Sequence, residues 1–151
     1  MNYYENIREE LINNEVYKKV KDYSKNRSDL KTYYNVGKML SEAGKHYGEG
    51  IIEKYSIKLI NELDKKYNKR TLYRMKQFYE IFKDEKVSTL WTQLTWSHYR
   101  EVLSLEDINK ITYYLNICEE QNLSVRKLRD KIKNNEYERL DNSTKEKLKK
   151  E

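Results

Sequence analysis

A chain of 151 residues with 37% hydrophobic content holds one core and is short for two independent domains. Fifteen tyrosines supply much of its apolar surface. The lack of proline, with only four glycines, argues against a turn-rich β-sandwich, and a single cysteine excludes an internal disulfide framework. No apolar run approaches the ~18 residues of a membrane span, and the polar start Met1-Asn2-Tyr3-Tyr4-Glu5 is not a signal peptide. The expectation is a cytoplasmic, all-α protein: a single helical domain of about seven helices containing a helix-turn-helix.

Ile7 and Leu11, then Val16, Val20 and Tyr23, form two apolar stretches with a break near Asn13-Asn14, which predicts a kinked or split first helix. Leu30, Tyr33, Tyr34, Gly37 and Leu40 share one face of a second helix, where Gly37 invites close approach by another helix. Gly44, Gly48 and Gly50 mark a connection. Ile52, Leu59 and Leu63 stripe a third helix, and Tyr67-Asn68-Lys69-Arg70 reads as a short link with Thr71 as the next N-cap. A fourth helix has Leu72, Met75, Tyr79 and Phe82 on its apolar side. Its opposite face carries Arg70, Tyr73, Arg74 and Gln77. Beyond Asp84-Glu85-Lys86, Leu90 to Trp96 predicts a short helix and Ser97 caps another through Leu103. Ser104-x-x-Asp107 resembles a capping box before a helix striped by Ile108, Ile111, Leu115 and Cys118. Ser124 caps a last helix with Val125, Leu128 and Ile132 inward. The expected organisation is N-terminal helices over 1–47, a bundle over 48–135 in the same domain, and a fraying charged tail over 136–151.

Lys plus Arg number 31 against 25 Asp plus Glu, a net charge of +6. The window Lys65–Lys76 holds Lys65, Lys66, Lys69, Arg70, Arg74 and Lys76 and no acid, so it carries the whole excess. Solvated lysine-rich helices are common. Here, however, Tyr67 and Tyr73 lie among the cations at a helix start, as on a phosphate-facing surface. In a helix-turn-helix the second helix enters the major groove, where Arg addresses guanine and Gln adenine bidentately. The DNA-binding candidates are Lys65, Lys66, Lys69, Arg70, Thr71, Tyr73, Arg74, Lys76 and Gln77, joined by Arg126 from a smaller basic cluster over Arg126–Lys133. Four of these, Lys65, Lys66, Lys69 and Lys76, are expected on phosphates.

Other chemistry is poorly supported. Trp91 and Trp96 read as packing residues. His46 and His98 have no cysteine cluster beside them, so no metal or other cofactor is expected. Cys118, on an apolar stripe, reads as a small core residue. Gly48-Glu49-Gly50 lacks the later glycine of a nucleotide fingerprint. Asp64-Lys65-Lys66 and Asp84-Glu85-Lys86 fit half of a nuclease motif but stand at helix ends, without a strand to hold a second carboxylate, so no catalytic residue is expected.

Thr32-Tyr33-Tyr34-Asn35-Val36-Gly37-Lys38 resembles the YW-x-IGK stretch of a bacterial family. Leu72 to Tyr79, Gln93-Leu94-Thr95-Trp96-Ser97-His98-Tyr99 and Leu123-Ser124-Val125-Arg126-Lys127-Leu128 also have counterparts there. On these motifs the chain resembles, over residues 28–140, the N-terminal domain of the YhcG-like PDDEXK nucleases, a helical domain taken to bind DNA. A fainter similarity over Ile51–Lys133 is to the DNA-binding domain of ParB-type partition proteins. Both resemblances imply a helix-turn-helix at the third and fourth helices. Two features depart from the first family. The turn before the fourth helix is shorter and lacks glycine, and with only eleven residues after Leu140 the family's nuclease domain is expected to be missing.

The expected function is therefore a non-catalytic protein that binds double-stranded DNA. It would serve a phage or mobile element, regulating or targeting DNA or recruiting a nuclease. The alternative is a module that binds a companion nuclease, a defence complex or a second copy of itself. RNA binding through the same patch is a weaker third reading, and no membrane partner is expected.

Overall fold

With no proline and few glycines, little in this chain interrupts a helix. The protein is described by a computed structural model over residues 2–20, 25–83 and 94–149. These residues form α1 (Tyr3–Val20), α2 (Lys25–Tyr47), α3 (Gly50–Glu62), α4 (Lys69–Phe82), α5 (Trp96–Leu103), α6 (Ile108–Gln121), α7 (Val125–Lys133) and α8 (Asn142–Lys149). The class is all-α, and among the described residues no helix is long and apolar enough to cross a membrane. Contacts gather the chain into two compact units, Met1–Leu90 and Trp91–Glu151. The readings of Tyr23, Asp84-Glu85-Lys86, Leu90, Trp91 and Gln93 lie outside the described residues.

In the first unit α1 is unbroken, against the expected kink. Asn14 is buried, and its Nδ2 donates to Asp29 Oδ1 of α2 at 2.8 Å, with Lys18 on the same carboxylate at 3.1 Å. An asparagine partnered across a helix pair does not compete for its own backbone. α2 runs through Gly44 as far as Tyr47, and the turn is made by Gly48 at φ +88°, whose N–H donates to the Gly44 carbonyl at 2.8 Å. The core joins Ile7 and Leu11 of α1, Tyr33, Val36 and Leu40 of α2, and Ile52 and Leu59 of α3 to the buried face of α4.

That face is Leu72, Met75, Phe78 and Phe82. The expected stripe had Tyr79 in place of Phe78. Both positions lie one turn beyond Met75, so periodicity alone cannot choose between them. In the fold Tyr79 is half-buried and sets its ring edge-on to Tyr34 at 5.2 Å. At Gly37, α2 meets α4 with no room for a side chain. A Cβ there would lie 2.8 Å from the Met75 carbonyl carbon and 2.9 Å from Tyr79 Cβ, with the carbonyl oxygen nearer still.

The second unit packs Tyr99, Val102 and Leu103 of α5 against Ile111, Leu115 and Cys118 of α6 and Leu128 of α7. Thr95, not Ser97, caps α5. Its Oγ1 accepts from the His98 N–H at 3.4 Å, while its own N–H donates to His98 Nδ1 at 3.1 Å. α6 is capped by Asp107 alone, through Asn109 N–H at 2.9 Å. Ser104 instead donates to the Glu101 carbonyl at 3.0 Å and closes α5. Ser124 caps α7 as expected, accepting from Lys127 N–H at 3.2 Å. Trp96 is only half-buried. The stretch expected to fray holds a buried Tyr137, whose N–H donates to Tyr114 Oη at 3.1 Å, and then α8.

Candidate nucleic-acid interface

The basic window is the α3–α4 turn and the first half of α4. Leu63–Asn68 joins the two helices, a six-residue turn that is longer than the 3–4 residues common in helix-turn-helix pairs. Its centre is pinned inward. Tyr67 is 2% exposed, its carbonyl accepts from the buried Ser56 Oγ at 3.0 Å, and its hydroxyl faces Glu15 of α1 at 3.5 Å. Asp64 Oδ1 accepts from the Lys66 N–H at 2.8 Å, so this carboxylate shapes the turn. Asn68, not Thr71, is the N-cap of α4: its Oδ1 accepts from the Thr71 N–H at 3.0 Å. Two expectations change as a result. Tyr67 is a buried anchor and not part of a phosphate-facing surface, and Thr71 is buried in the first turn, out of reach of a ligand.

Burial of Leu72, Met75 and Phe78 turns the opposite side of α4 outward. Lys69, Arg70, Tyr73, Arg74 and Gln77 come together there, as the spacing predicts. The Lys69 ammonium lies 5.9 Å from the Tyr73 ring centroid. Arg74 Nη1 donates to Gln77 Oε1 at 2.8 Å. Arg126 belongs to α7 in the second unit, where it is exposed.

The cations are not equally available. Lys66 Nζ is 2.8 Å from Glu15 Oε1, and Lys69 Nζ is 3.6 Å from Glu53. Lys76, with a side chain only 16% exposed, sits on the flank of α4 between Glu80 at 2.9 Å and Glu49 at 3.5 Å. Burial draws its ammonium pKa down, but the hydrogen bonds and charges of Glu80 and Glu49 outweigh this and hold it above the ordinary lysine value. Burial likewise pushes the Glu15 carboxyl up, yet Lys66, Lys18 and the Tyr67 hydroxyl leave it below the ordinary range. Lys65 and Arg70 are exposed and have no ion-pair partner among the described residues, and Arg74 is held by a neutral amide. Glu15, Glu49 and Glu53 lie far from the window in sequence and Glu80 lies four residues past its end, so a count confined to the window missed them.

Among the described residues no group of three or more His, Cys, Asp or Glu side chains is placed to hold a metal. Burial pushes the Cys118 thiol up to about 11, which suits a core residue and not a nucleophile.

The family model for the DUF1016 N-terminal domain matches residues 7–139. The chain belongs to that family. No curated protein and no solved structure matches it. In this DUF1016 N-terminal domain, three of the stretches that carried the resemblance serve the framework. Gly37 seats α2 on α4. The Leu94–His98 and Leu123–Leu128 stretches are joined by one buried hydrogen bond, from His98 Nε2 to the Leu123 carbonyl at 2.8 Å. Because Nδ1 accepts from the Thr95 N–H, Nε2 must carry the proton, and both ring nitrogens are used in holding the start of α5 to the α6–α7 turn. Sequence reasoning placed His98 only beside a cap; the T-x-x-H spacing of a capping box was the signal for its role.

Proposed function

We propose that this DUF1016 N-terminal domain is a non-catalytic module that binds double-stranded DNA through the outward face of α4. The observation that carries the reading is the set of donors on that face: Arg70, Tyr73, Arg74 and Gln77 behind a helix N-terminus, with Lys65 in the preceding turn. A helix start adds a favourable potential for anions, and Arg side chains serve both phosphates and guanine edges. The resemblance to the N-terminal domain of YhcG-like nucleases, and more faintly to ParB-type proteins, supports a helix-turn-helix role for α3 and α4. In that setting the domain targets or regulates DNA of a phage or mobile element, or brings a nuclease to it.

Fluorescence anisotropy with a labelled duplex over a salt series tests this. Affinity should fall steeply with salt, and the Arg70→Ala/Arg74→Ala double variant should lose most of it. A second reading, a protein-interaction module, draws on Ile57 (57% exposed) and Ile60 (37% exposed) on α3. Unchanged duplex affinity in the double variant would favour that second reading.

A further inference from the structure

Resting on the DNA-binding reading above, we propose that Gln77 reads no base itself but positions Arg74, so that this face of α4 addresses a guanine-bearing major-groove edge. The two side chains stand one helical turn apart and are joined by Arg74 Nη1 donating to Gln77 Oε1 at 2.8 Å. A guanidinium has donors only, so the amide atom facing it must be the oxygen. Bidentate recognition of adenine needs that same oxygen to accept from N6 while the amide nitrogen donates to N7. Holding Arg74 takes one of that oxygen's two lone pairs and fixes the amide plane, so turning the amide to adenine N6 and N7 would cost Gln77 its hold on Arg74.

Arg74 gains what Gln77 gives up. One N–H is anchored to the amide, and the rest of the fork remains for two acceptors side by side. Guanine presents this pair as O6 and N7, whereas thymine offers O4 alone. No carboxylate among the described residues pairs with Arg74, so the fork is not drawn off by charge. Arg70, four residues earlier on the same face and without an ion-pair partner among the described residues, is left for a phosphate or an adjacent base.

The test is a selection from a random duplex library with the full chain, followed by competition with single-base-substituted duplexes. Wild type should enrich sites with a fixed guanine. Arg74→Ala should cut preference at that base pair by about ten-fold or more. Gln77→Ala should reduce preference at the same base pair, by about three- to ten-fold, and the double variant should be no worse than Arg74→Ala. Gln77→Glu replaces the neutral acceptor with a carboxylate that draws the Arg74 fork off by charge, so it should lower the guanine preference and also weaken binding to all duplexes. Helical content and melting temperature should stay at wild-type values in each variant. The inference is overturned if Gln77→Ala changes a different base pair, leaves the guanine preference intact, or combines multiplicatively with Arg74→Ala. If wild type selects no duplex at all, the DNA-binding reading falls and takes this inference with it.

Discussion

Substituting Gly37 by alanine sets two known effects against each other. In an exposed helix interior, Gly→Ala stabilises by about 1 kcal/mol, because alanine loses less backbone entropy on folding. Position 37 is buried in the middle of α2, and the added Cβ would lie 2.8 Å from the Met75 carbonyl carbon and closer to its oxygen. Those are backbone atoms of α4, so no side chain can rotate away, and α2 and α4 must separate by roughly an ångström. Overpacking a core typically costs about 1–3 kcal/mol, and separating two helices packed through Met75, Phe78 and Val36 belongs at the upper end. The net expectation is destabilisation by about 2 kcal/mol, with a larger loss for Gly37→Val. Urea denaturation followed by circular dichroism measures this directly, and the sign decides. A Gly37→Ala protein about 1 kcal/mol more stable than wild type would mean that the helices are not in contact there.

His98→Ala removes a buried hydrogen bond and half of the α5 cap, so it should cost the second unit about 2–4 kcal/mol in chemical denaturation, whereas Ser97→Ala should cost little. The Glu15 carboxyl is held below its ordinary value of 4.5, so its contribution is present above that pH and is lost as pH falls through the lower folded-state value. Melting temperatures of wild type and Glu15→Gln should therefore differ at neutral pH and converge in acid. Cys118, buried and with its thiol raised to about 11, should react with a thiol reagent at pH 8 only as fast as the second unit opens. Prompt labelling in the native protein would contradict that burial. Trp96→Ala should fall short of the ~3–5 kcal/mol expected of a fully buried aromatic ring, because Trp96 is half-buried.

Long-period patterns were the most legible part of the fold. Leu72, Met75 and Phe82, or Ile111, Leu115 and Cys118, repeat at helical spacing over several turns, and any packing that buries them must give a helix. Boundaries were less legible because several residues in each junction can cap. Asn68 and Thr71, or Thr95 and Ser97, compete on equal chemistry, and the winner is decided by where the chain must leave the core. Asn14 misled for a related reason. Its usual role as a helix breaker assumes that no partner lies outside the helix, and Asp29 supplies one.

Charge shows the same limit and bears directly on the interface. Read along the chain, Lys65 to Lys76 holds six cations without an acid. Folding brings Glu15 to Lys66, Glu53 to Lys69, and Glu49 and Glu80 to Lys76. Four lysines on the backbone would displace counterions with a log K against log salt slope of about −0.9 per phosphate. A lysine that must first leave a carboxylate contributes less, because the acid stays behind at the interface and repels the phosphate. Lys76→Ala should therefore hardly change the slope, whereas Lys65→Ala and Arg70→Ala should each make it shallower by about one unit. If Lys76→Ala shallows the slope as much as Arg70→Ala does, the ion pairs on the flank of α4 are not holding their lysines, and the uninterrupted count of the sequence describes the interface better than the pairing does.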